Sequence, residues 1–235
     1  LLIFGGSLWV DPLLHAEVPY DFERDFAPIG MVANAPILIA VNPQLPVKSV
    51  KELIAMARAR PGTLNYASGQ VGAGTHLAAE LFKSMAGIDI VRIPYKGNGP
   101  ATNALVAGQV QLMFPTAGAV ASLLKNGRIR ALGITFARPS ALFPDLPTVA
   151  AAGELPGYQF DSFIGAFAPA RVPPAIVSLL SREMSAALAN PEIRQRFAAS
   201  GVETIGSTPQ ALAEAVQSER ARLGKLIRDL NLKPD

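Results

Sequence analysis

Nine consecutive residues carry the densest set of groups able to do chemistry: Ser68-Gly69-Gln70-Val71-Gly72-Ala73-Gly74-Thr75-His76. Three glycines allow unusual dihedrals and let the backbone approach a ligand closely. A helix starting just after them would offer unpaired N–H groups and a partial positive charge, which together suit an anion. Ser68 and Thr75 add hydroxyl donors. A carboxylate is a natural guest for such a loop. No lysine follows the glycines as a P-loop requires, and the spacing of Gly69, Gly72 and Gly74 departs from the dinucleotide fingerprint. The same residues also read as a plain glycine turn with Thr75 as a helix cap.

Three further loops are candidates for the same edge: Gly5-Gly6-Ser7, Tyr95 to Pro100 with Asn98 as a cap, and Thr116-Ala117-Gly118. Residues of these types are common in ordinary turns, so their convergence weighs more than any one of them. Catalytic machinery is sparse. The chain has two histidines, and His76 in the first turn of a helix suits a neutral side chain that orients a loop. A serine hydrolase built on Ser68 and His76 is the enzymatic alternative, with Asp89 or Asp161 as orienter, but no G-x-S-x-G elbow is present. Two histidines, no cysteine and no closely spaced carboxylate pair offer no metal ligand set, and Lys96 beside Gly97 suits a solvated loop. No cofactor is expected.

The elements that must hold these loops alternate between two periods. Strands are predicted at 36–41, 64–67, 88–93, 110–114 and 129–136, and helices at 50–60, 75–85, 100–107 and 119–124. Ser49 is the expected cap of the first helix, Pro61-Gly62 its stop, and Gly87 the stop of the second. Such alternation argues for an α/β fold with mostly parallel sheets flanked by helices, every strand-to-helix turn falling on one edge. Residues 158–168 read as an aromatic strand leading into a second lobe. After Pro173-Pro174 the chain reads as purely helical: 175–189, 192–200 and 209–230, with Thr208-Pro209 a cap and first-turn proline.

Half of the 235 residues are hydrophobic and only 17% are charged, with a net charge of +3 spread along the chain. No clustered basic face interleaved with aromatics appears, which argues against nucleic-acid binding. The absence of cysteine excludes disulfides and thiolate chemistry. No apolar run approaches the roughly 18 residues of a membrane span. Leu1 to Phe4 is apolar but lacks a basic lead and is broken by Gly5, Gly6 and Asp11, so it does not read as a signal peptide. A strand-like opening of this kind suggests a segment preceding Leu1.

Several stretches resemble the Bug family, the substrate-binding receptors of tripartite tricarboxylate transporters. They are residues 20–28 (YDFERDFAP), 64–69 (LNYASG), 72–80 (GAGTHLAAE) and 93–97 (IPYKG) with Pro100-Ala101. Gly108-Gln109-Val110 and Leu146-Pro147-Thr148 with Gly153 follow in the family's order. The resemblance implies a two-lobe type II periplasmic binding fold with a hinge, lobe one comprising 1–33 and 158–235 and lobe two 34–157. It implies a periplasmic protein without catalysis, holding a small organic carboxylate in the interlobe cleft and passing it to the membrane subunits of the transporter. Carried onto this chain, the ligand positions are Ser7, Ser68, Gly69, Gly72, Ala73, Gly74, Thr75, His76, Thr116 and Ala117. The family lacks a salt-bridging arginine for the carboxylate, and these three loops hold none. Asn103 and Pro115 stand where the family usually has aspartates. The family's first strand and glycine-rich loop have no counterpart after Leu1. That raises the alternative of a truncated, non-binding paralogue and leads to an expectation of self-association through uncovered apolar surface.

Overall fold

The opening strand β1 (Leu2–Phe4) feeds α1 (Ser7–Leu14), the single turn α2 (Phe22–Asp25) and the long strand β2 (Phe26–Asn34). The computed structural model describes residues 1–234. Beyond β2 come β3 (Leu38–Val41), α3 (Val50–Ala59), β4 (Asn65–Ser68), α4 (Gly74–Ala86), β5 (Val91–Pro94) and α5 (Asn98–Val106). Next are β6 (Leu112–Met113), α6 (Ala117–Lys125), β7 (Arg130–Ile134) and α7 (Val149–Ala152). The chain ends with β8 (Phe163–Pro169), α8 (Pro174–Ala189), α9 (Pro191–Ala199), β9 (Glu203–Thr204) and α10 (Pro209–Asp229). These elements form two units, one of residues 1–35 with 162 onward, the other of residues 36–161. The chain thus passes between them at 35/36 and 161/162, past the crossings at 33/34 and 157/158 that the sequence suggests.

In the first unit the sheet order is β1-β8-β2-β9, and all three pairings are antiparallel. Its core gathers Trp9, Ile29, Ala166, Phe167, Leu212 and Val216, all buried. Leu212, Val216, Leu223 and Ile227 recur at three- to four-residue spacing and turn one stripe of α10 inward. Gly30 sits where β2 bulges against β8, close to the backbone of Ser207. The two-residue strand β9 corrects the reading of an all-helical tail. Glu203 and Thr204 pair with Asn34 and Ala33, contacts 169 and 171 residues apart in sequence that no local period announces.

In the second unit the order is β5-β4-β6-β3-β7. β4 is parallel to β5 and β6, whereas β3 is antiparallel to β6 and β7. The two sheets are therefore mixed and antiparallel, not mostly parallel. Apolar period marks a strand covered on both faces but not its direction, and all four residues of β3 are buried in either case. The reversal of β3 also sends its helix turn to the opposite edge, leaving the loops after β4, β5 and β6 together. Ser49 caps α3 by accepting the Glu52 N–H at 3.1 Å, while the Glu52 carboxylate takes the Lys48 N–H at 2.7 Å. Gly87 ends α4 in the left-handed conformation (φ 59°). Tyr158 and Phe160 do not extend β8. The Tyr158 hydroxyl donates to the Ala78 carbonyl at 3.0 Å and the Phe160 carbonyl accepts from Thr135 Oγ1 at 2.7 Å, so both belong to the second unit.

Candidate functional site

Strands β4, β5 and β6 end side by side, with Ser68 opposite Pro94 and Ala67 opposite Met113. Each then turns into a helix, so the amino ends of α4, α5 and α6 share one sheet edge. None of the three has a side-chain cap. Their N-cap residues are Ala73, Gly97 and Thr116, whereas Ser49, Thr148, Asn190 and Thr208 cap other helices with their oxygens. Among the described residues the N–H groups of Gly69, Gln70, Gly74, Thr75, Asn98, Gly99 and Gly118 have no hydrogen-bond partner. Open donors at helix amino ends attract negative charge.

The loop after β4 is shaped from behind. Gly72 adopts φ 84°, a left-handed conformation that favours glycine. Its N–H donates to His76 Nδ1 at 3.3 Å, which makes that nitrogen an acceptor and puts the neutral ring's proton on Nε2. His76 Nε2 faces Glu80 Oε1 at 4.0 Å. Glu80 in turn accepts from the Tyr66 hydroxyl and from Lys83 Nζ at 2.9 Å. Both His76 and Glu80 are buried, so His76 orients the loop from beneath it. The loops also meet laterally: the Tyr95 N–H donates to the Ser68 carbonyl at 2.9 Å. A methyl group on Gly69 would lie 3.9 Å from Asn98 Oδ1, an ordinary contact that places the two loops side by side.

Burial, and next the charge of Glu80, push the Tyr66 hydroxyl far above its ordinary value near 10. Above about pH 10 the unfolded chain loses this proton and the folded chain keeps it, so stability falls as pH rises, by about 1.4 kcal/mol per pH unit. Tyr66→Phe is expected to remove that share of the slope while costing about 1–3 kcal/mol at neutral pH, because a buried carboxylate loses a donor. Urea unfolding of both proteins between pH 7 and 11 checks this; parallel pH curves would refute it.

Several positions singled out in the sequence behave differently in space. Ser68 is buried, and its hydroxyl accepts from Arg92 Nε at 2.7 Å and donates to the Gly69 carbonyl at 3.0 Å. Neither partner can act as a base, so the nucleophile–base pair of the hydrolase alternative is not formed through these bonds. Thr75 lies in the first turn of α4 with no hydroxyl partner among the described residues. Thr116 begins α6, but the Ala117 amide is consumed by the Pro36 carbonyl at 2.8 Å and its methyl is fully buried. Ser7 opens α1 in the first unit, so the Gly5-Gly6-Ser7 loop does not share the edge of the other nine positions. Arg92 and Glu80 escaped the sequence reading. Each leaves a faint trace, Arg92 as the basic residue near the end of the IDIVRI run and Glu80 as an acid inside the apolar stripe of α4.

The family model for the tripartite tricarboxylate transporter family receptor matches residues 1–232. BugT of Bordetella pertussis is 33% identical over 235 residues, covering 99% of this chain and 72% of that protein. The solved structure of R. palustris Rpa4515 with adipate has a TM-score of 0.87 at 35% identity, covering 96% of this chain and 76% of that one. MatC (Rpa3494) from Rhodopseudomonas palustris, with bound malate, has a TM-score of 0.80 at 28% identity, over 96% of this chain and 78% of that one. The two-unit α/β architecture with mixed sheets is that of these binding proteins. With a match that runs along nearly its whole length, the chain belongs to the receptors of the tripartite tricarboxylate transporter family, the Bug proteins among them.

Proposed function

We propose that the protein is a periplasmic solute-binding receptor that holds a small organic carboxylate at the β5–β4–β6 edge and hands it to the membrane subunits of a tripartite transporter, without chemistry on the ligand. The observation that carries this reading is the convergence of three uncapped helix amino ends on one edge, with open backbone donors in the loop from Gly69 to Thr75. Such donors hold a carboxylate by hydrogen bonds and helix dipoles, without a salt-bridging side chain. Two similar receptors carry adipate and malate, both dicarboxylates, which makes these acids the first probes. Of the family positions, Gly69, Gly72, Gly74 and Thr75 supply donors or the backbone shape for them. His76 supports the loop from below, and Thr116 is expected to contribute a hydroxyl.

Calorimetric titration with adipate, malate and a panel of other small acids tests the reading, with saturable binding of at least one expected. Thr75→Ala is expected to weaken that acid by about 1–3 kcal/mol, the scale for a lost hydrogen bond to a charged group, with little change in melting temperature. Unchanged affinity would remove Thr75 from the site. Failure of every acid to bind to folded protein would overturn the function proposed.

A further inference from the structure

We propose that Arg92 is the positioning residue of the carboxylate loop, aiming the Gln70 N–H at the ligand; this rests on the carboxylate reading above. Arg92 is the second residue of β5, paired with Tyr66 of β4, and its side chain reaches over the end of the neighbouring strand. Nε donates to Ser68 Oγ at 2.7 Å and Nη2 donates to the Gly69 carbonyl at 2.7 Å. The Gly69 carbonyl also accepts from Ser68 Oγ at 3.0 Å, so the three groups form a closed triangle. A planar guanidinium holds two acceptors at once in a fixed relation, which a lysine ammonium on a flexible stem does not reproduce.

The consequence for binding follows from peptide geometry. The Gly69–Gln70 bond is trans, as is every peptide bond among the described residues. In a trans peptide the C=O and N–H point to opposite sides of the C–N bond. Turning the Gly69 carbonyl toward Arg92 therefore turns the Gln70 N–H away from it, and that N–H has no partner among the described residues. Three residues after Gly69, the Gly72 N–H is held by His76 Nδ1 at 3.3 Å. The loop is thus pinned at Gly69 by Arg92 and at Gly72 by His76. Its open donors are preorganised, and little ordering entropy is left to pay on binding. Ser68 belongs to this brace: its hydroxyl proton is engaged with the Gly69 carbonyl, so it acts on the ligand through the loop.

Arg92→Gln, Arg92→Lys and Ser68→Ala in the full chain test the assignment by two readouts. The first is amide hydrogen exchange without ligand. Exchange at the Gly72 N–H, the loop amide bonded to His76 Nδ1, is expected to rise about tenfold or more in both Arg92 variants, the factor for losing one or two net hydrogen bonds, with the middle of α4 unchanged. The second is calorimetric affinity for adipate and malate. Whichever of the two acids binds is expected to weaken about 10- to 100-fold in Arg92→Gln, equally so if both bind. Lysine should not rescue this loss, the salt dependence should stay that of the parent, and Ser68→Ala should show a smaller loss. Rescue by lysine, or a change in salt dependence, would make Arg92 a direct charge partner and overturn the positioning role. Unchanged exchange at the loop, or unchanged affinity despite a lower melting temperature, would overturn it as well. A parent protein that binds none of the acid panel would sink the carboxylate reading instead, and the exchange readout would still decide the brace.

Discussion

Trp9→Ala is expected to lower the unfolding free energy of the first unit by about 3–5 kcal/mol, the range for truncating a fully buried large aromatic. Trp9 is 0% exposed and is the hub of an aromatic cluster. Its ring stacks on Phe163 at 5.1 Å between centroids and meets Phe22 and Phe167 at about 6 Å. Its indole N–H donates to Glu219 Oε2 at 2.6 Å, tying α1 to α10. Alanine would thus open a cavity between a helix, a sheet and a second helix, and remove a donor from a buried carboxylate. Trp9→Phe separates the two effects: it keeps most of the packing, loses the donor, and is expected to cost about 1–3 kcal/mol. Urea unfolding followed by circular dichroism measures both; a loss below about 1 kcal/mol for alanine would show that the cluster collapses around the gap.

Gly30→Ala is the second large effect, expected at about 2–3 kcal/mol from overpacking. A Cβ at this position would lie 2.4 Å from the Ser207 carbonyl oxygen and 2.9 Å from Met184 Cε. The methionine can move, but the carbonyl is backbone held by its neighbourhood. Ser207 Oγ accepts the Met31 N–H at 2.8 Å, and the Ile205 N–H donates to the Val32 carbonyl at 3.0 Å. Relief would require β2 and the segment after β9 to part, at the expense of those bonds. Gly99→Ala is the control. It lies in the first turn of α5, exposed, with nothing within 4 Å of an added methyl, and is expected to change stability by no more than about 0.5 kcal/mol. Equal losses at the two glycines would refute the steric account.

Local chemistry alone announced much of this protein. Alternating apolar periods marked the strands and helices of residues 36–136 to within a few residues, because a covered strand and an amphipathic helix each leave a distinct spacing. Ser49 and Thr208 as caps, Gly87 as a stop and the glycine loop before α4 were legible for the same reason, since each acts within one turn of chain. The family was legible because its motifs run in order along the whole sequence.

Strand direction was not legible, because apolar period is blind to it, and so β3 proved antiparallel to both its neighbours. The partners of polar side chains were equally hidden. Arg92 holding Ser68 and Gly69, Glu80 joining Tyr66 to Lys83, and Pro36 consuming the Ala117 amide all depend on which strands lie side by side. Those contacts divide the predicted ligand positions into groups free to donate and groups already engaged. Residue type and spacing therefore marked the open glycine loop before α4 as the candidate for anion binding, through forces acting over a few residues. Which of its donors point outward is set by hydrogen bonds between segments brought together only by the folded sheet.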